Sequence, residues 1–211
     1  AINSGCAIFL IYRNRNYLSS YSIRQQIKNN FKNQNLVDKV AIIAIIIILY
    51  ICLVTELISP PNNMVYLTYH IPRVMYWILN QSVGHYPTHN LRQIAFPPGA
   101  GYIVTHLQIL AGSDRFANCL QWWAFLGSII GTSLIAKNIV GPQTQPITAL
   151  VCASIPMAIM QSTTPQTDLI VSFWLVCFAF FIFRTENYAP KDIFWLSASL
   201  GLAILLSLIH I

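Results

Sequence analysis

The chain alternates long apolar runs with short polar connections. Residues 40–58, "VAIIAIIIILYICLVTELI", form a run of 19 residues whose one charge is Glu56. At about 1.5 Å rise per residue such a run is long enough to cross a bilayer as a helix. Glu56, near its end, is expected where interfacial water reaches it. "SPPNN" then stops the helix, because proline brings no N–H and disfavours helix in the residue before it. Further spans are read at 117–136, 144–160 and 168–183, with Pro146 and Pro156 shortening or kinking the second of these. A partial span opens at 193–211. Residues 1–12 are too short to cross and read as the end of a truncated helix.

Between the first two spans lies an outer loop, 60–116, with order of its own. "VYLTYHIPRVMYWILNQ" places Tyr66, Tyr69, Val74, Trp77 and Ile78 at helical spacing, with Pro72 near the first turn. It predicts a helix lying along the membrane interface, where Trp and Tyr are favoured. "GHYPTHNLRQIAFPPG" reads as a loop. "AGYIVTHLQILAG", 100–112, predicts a second interfacial helix.

Composition agrees with this pattern. The chain of 211 residues is 55% hydrophobic and 9% charged, against about 25% charged in soluble domains. The net charge of +6 does not form a nucleic-acid-binding face. Arg13, Arg15, Arg24, Lys28, Lys32 and Lys39 make 13–39 a basic segment expected on the cytoplasmic side. With Lys137, Arg184 and Lys191, nine basic residues fall on the inner side, against Arg73, Arg92 and Arg115 outside. This distribution makes a multi-pass membrane topology self-consistent. The five cysteines lack metal-ligand spacing and read as small buried hydrophobes. The last six residues, "LSLIHI", match the translation of a transposon sequencing adapter end (CTG TCT CTT ATA CAC ATC). They are expected to be read-through.

The chemistry concentrates in "YHIPRVMYWILNQSVGHYPTHNLRQ", residues 69–93, which holds three histidines, two arginines and three tyrosines but no carboxylate. Arg73 and Arg92 suit a phosphate, since guanidinium groups make bidentate hydrogen bonds to it. Tyr69, Trp77 and Tyr86 offer aromatic faces with polar rims. His85 and His89 are four apart, but Pro87 between them argues against a shared helical face and a zinc site. Asp168, at the start of a span, reads either as an N-cap or as a functional acid.

The ordered set "PPNN…TYHIPRVMYWILNQSVGHYPTHNLRQ…PPGA", "LAGSDRFANCLQWWAFLGSIIGTSLIAKNI" and "QSTTPQTDLIVSFWLV" resembles bacterial membrane glycosyltransferases of the GT-C type. The nearest group is family 39 and its relatives, the protein O-mannosyltransferases and lipid A aminoarabinose transferases. The resemblance covers about residues 35–205. It implies an all-α integral membrane fold, a GT-C-like helical bundle with interfacial helices in the first outer loop. It implies transfer of a sugar from a polyprenyl-phosphate donor to a lipid, glycan or protein acceptor on the periplasmic face. Arg73, Arg92, Tyr69, Tyr86 and Gln93 would bind substrate, and Asp168 would be the second-loop acid. A divalent metal at that acid is allowed without being required, and no other cofactor is implied. The family carries Trp-Asp-Ser where this chain has Met64, Val65 and Tyr66, and an acid where it has Gly101. The usual proton acceptor is therefore replaced, and His70 is the candidate substitute. A degenerate paralogue that binds lipid-linked sugar or a partner without turnover is the alternative. A transporter is the weaker third reading, because the charges gather at one face.

Overall fold

A computed structural model describes residues 35–206, except Asn62, Asn118 and 185–189. The expected truncated helix at 1–12, most of the basic segment 13–39 and the tail from 207 lie outside the described residues. By its contacts the chain divides into residues 1–40 and 41–211. Of the first unit only 35–40 are described, as the opening of a helix.

Every described element is helical. Helix α1 is Leu36–Ile58. A helical segment opens at Met64, passes through a π-helical turn, Tyr66–His70, and continues as α2, Ile71–Asn80. The short α3, Arg92–Ala95, and α4, Gly99–Ala111, complete the loop region. Then come α5, Cys119–Ile139, a 3-10 turn at Pro142–Thr144, α6, Gln145–Ala153, and α7, Pro156–Ser162. Helices α8, Asp168–Arg184, and α9, Pro190–Leu206, close the order. Helices α1 and α5 are long and apolar enough to cross a membrane.

The run 144–160 is two helices instead of one. Pro156 starts α7, and Ile155 before it is extended, with φ −64° and ψ 115°, the conformation proline imposes on its predecessor. Pro146 sits in the first turn of α6, where its missing N–H interrupts nothing.

Helix α8 lies between α5 and α9, and α6 packs on α5. The α5–α8 approach depends on glycine. A Cβ at Gly127 would lie 2.5 Å from the Phe173 ring, and one at Gly131 would lie 2.5 Å from Val176. Two glycines four residues apart clear a groove on one face of α5, the small-residue pattern that lets helix backbones approach closely. Phe125, Ile129, Ala153, Leu169 and Ile170 fill the core around this contact. Trp122 ties α5 to α1, its indole N–H donating to the Leu49 carbonyl at 3.0 Å.

Glu56 corrects one expectation. It is 1% exposed, and it lies beside Cys119 at the start of α5. Packing of the two helix ends, not water, surrounds it.

Candidate functional site

The π turn originates in Pro72. In a regular helix the Thr68 carbonyl would accept from the N–H of residue 72, and proline has none; its ring also crowds that carbonyl. The helix widens to an i→i−5 register, with the Ile71 N–H reaching the Tyr66 carbonyl. The Thr68 carbonyl is left to outside donors. Asn90 Nδ2 and Gln93 Nε2 both donate to it, at 3.2 and 3.1 Å. The loop after α2 is thereby docked across the π turn.

Gln93 organises that loop. Its Oε1 accepts from the Tyr86 hydroxyl at 3.0 Å and from the Thr88 hydroxyl at 2.9 Å. The Tyr86 ring stacks on Tyr76, with centroids 4.2 Å apart. Residue Asn90 caps the turn into α3, its Oδ1 accepting from the Arg92 N–H. The chain end of α2 is turned by Gln81 in the left-handed region, φ 48°.

Arg73 stands at the centre. It is 2% exposed. Its Nη1 donates to the Pro97 carbonyl at 3.2 Å and its Nη2 to the Arg92 carbonyl at 3.0 Å. Its Nε is buried with no hydrogen-bond partner. The guanidinium carbon lies 5.7 Å from the centre of the Trp77 ring, which stacks on Tyr102. Burial pulls the guanidinium below its ordinary value, and among the described residues the groups acting on it electrostatically are Tyr86, Tyr69 and Tyr102. No carboxylate is among them. A buried cation without a counter-charge is costly.

Arg73 faces a cavity of about 750 Å³, within the range of small-molecule sites. Trp77, His85, Tyr86, Gln93 and Tyr102 line it, with Pro97 and Pro98. Gly201, Ile204 and Leu205 of α9 form an apolar side. Gly99 allows this contact, since a Cβ there would lie 2.9 Å from the Leu205 carbonyl oxygen.

The sequence candidates divide around this cavity. Arg73, Tyr86 and Gln93 line it, although the polar ends of Tyr86 and Gln93 are engaged with each other. Arg92 contributes its carbonyl to Arg73 while its side chain is exposed. Tyr69 packs edge-on against Phe96 and beside His70. Burial raises its hydroxyl above the usual phenol value; Arg73 and Arg92 act against that rise and Asp168 adds to it. His70 is buried off the cavity lining. Burial, aided by Arg73, holds its imidazole down to about 4, so it is neutral at physiological pH. Asp168 lines a separate cavity. Val65 is exposed at the start of the helical segment.

Sequence reasoning did not place His85, Tyr102 and α9 on this wall. The aromatic spacing in "AGYIVTHL" marks Tyr102 as a helix residue but not the face it presents. The contribution of α9 comes from residues about a hundred positions away. Among the described residues no group of three His, Cys, Asp or Glu is placed to hold a metal ion. Compared with protein-family models, with curated proteins and with solved structures, the chain finds no match.

Proposed function

We propose that the Arg73 cavity holds the phosphate of a polyprenyl-phosphate sugar, and that the chain is part of a GT-C-type glycosyltransferase in a bacterial plasma membrane. The observation that carries this reading is Arg73 itself: a buried guanidinium with a free Nε, no carboxylate partner among the described residues, and a cavity in front of it. The phosphodiester monoanion supplies the missing charge and accepts from guanidinium N–H groups. The Trp77–Tyr102 stack suits a sugar ring, and the α9 side suits an apolar chain. In the transfer, an acceptor hydroxyl or amine attacks the anomeric carbon. The bond from that carbon to phosphate oxygen breaks, and polyprenyl phosphate leaves with its electron pair. The acceptor's proton passes to a base, for which His85 is the candidate on the wall. The ring configuration inverts.

One observation favours a second reading, retention of lipid-linked sugar without turnover. Among the described residues no carboxylate lines the cavity, and the family's acids are Val65 and Gly101 here. Full-length protein in lipid nanodiscs, given polyprenyl-phosphate hexose and pentose donors, separates the two. Release of polyprenyl phosphate that falls at least tenfold in His85→Gln supports transfer. Tight donor binding with no release in any case supports retention, and neither binding nor release overturns both.

A further inference from the structure

A second cavity, about 310 Å³, lies where α6 breaks into α7, and it shares no lining residue with the Arg73 cavity. Phe125, Ile155, Met157, Leu169 and Val176 make its walls largely apolar. Its polar side chains all turn the same way. Gln161 Nε2 donates to Asp168 Oδ2 at 2.8 Å. The other end of that amide, Oε1, is buried with no hydrogen-bond partner. The lining hydroxyls of Ser128, Thr132 and Ser172 each direct their proton to a carbonyl of their own helix, those of Ala124, Ser128 and Asp168. What these three can offer the cavity is lone pairs. Asp168 and Gln161 Oε1 offer lone pairs as well. One full negative charge and several neutral oxygen acceptors therefore converge on an apolar space, the electrostatic opposite of the Arg73 cavity.

That lining selects its ligand. A divalent ion asks for more carboxylate charge than one aspartate brings, and the volume exceeds what a bare ion fills. An ammonium group has three donors and no acceptor, which matches an aspartate oxygen, an orphaned amide oxygen and a hydroxyl lone pair. The apolar walls suit carbon attached to it. We propose that this cavity binds a primary ammonium group on a short apolar stem, with Asp168 as counter-ion and Gln161 Oε1 accepting a second N–H. The site stands apart from the transfer reading, because it is read by equilibrium binding with no sugar donor present, and either can fail alone.

The test uses full-length protein in nanodiscs, titrated with n-butylammonium chloride at constant ionic strength and followed by its unfolding temperature. Sodium chloride and n-butanol are the parallel titrants. The expected result is a saturable rise with n-butylammonium alone, its affinity reduced about tenfold or more by Asp168→Asn and by Gln161→Leu. Ala158→Leu, which fills the cavity and keeps both polar partners, abolishes the response and serves if Asp168→Asn does not fold. An equal rise with n-butanol or with sodium overturns the proposal. So does a response that survives both Asp168→Asn and Ala158→Leu, or the absence of any saturable response.

Discussion

Gln93 donates to the carbonyl of Thr68 across 25 residues of sequence, at 3.1 Å, because Pro72 withholds the N–H that carbonyl would otherwise accept. Replacing Gln93 by Leu leaves the Tyr86 and Thr88 hydroxyls without their acceptor and removes one of the two donors on Thr68. Stranding such groups costs about 1–3 kcal/mol. The variant should unfold at lower temperature in nanodiscs and lose hydrogen-exchange protection over 86–93. Wild-type protection in that stretch would show that the amide does not hold the loop.

The glycine groove of α5 makes a prediction of the opposite kind, that a small addition is harmful. Gly127→Ala places a methyl group against Phe173 and should destabilise by about 1–3 kcal/mol. Phe173→Leu should recover part of that loss in the double variant. Independent, additive effects of the two substitutions would place the two helices further apart than described.

His70 sets a pH dependence. Its folded-state value of about 4 lies below the ordinary 6.5, so the unfolded chain binds the extra proton between those values. Stability from the neutral imidazole is complete above pH 6.5 and is lost as pH falls toward 4, to a total of roughly 3 kcal/mol. His70→Phe should flatten this window in unfolding measurements. An unchanged slope would assign the acid sensitivity to other groups.

Gly101 tests the charge balance around Arg73. A Cβ there lies 3.1 Å from the Trp77 ring and 3.9 Å from Arg73 Cδ. Glutamate at this position brings a carboxylate beside the guanidinium and competes with any anion. Gly101→Glu should weaken phosphate-ligand binding about tenfold or more, and Gly101→Ala much less. Equal loss in both variants would point to crowding of Trp77 instead of charge.

The sequence made some of this visible and hid the rest for physical reasons. The apolar lengths of α1 and α5 are local properties, and periodicity exposes them. The prolines likewise announce that 144–160 is interrupted, though only the extended Ile155 shows that the interruption is complete. Arg73 stands out because cations are scarce in so apolar a chain. The role of Gln93 is invisible locally, since its partner is a backbone carbonyl freed by a distant proline. Glu56 misleads for a similar reason: its place near a helix end suggests water, and its burial depends on how the start of α5 packs beside it. In "FLGSIIG" Gly127 and Gly131 are ordinary glycines until Phe173 and Val176 are set against them.

The most direct measurement is equilibrium binding of undecaprenyl phosphate to full-length protein in nanodiscs, wild type beside Arg73→Gln. Saturable binding that weakens about tenfold to a hundredfold in the variant, with Arg92→Gln affected less, is the predicted result. Equal binding by wild type and Arg73→Gln would contradict the assignment of the Arg73 cavity to a lipid phosphate.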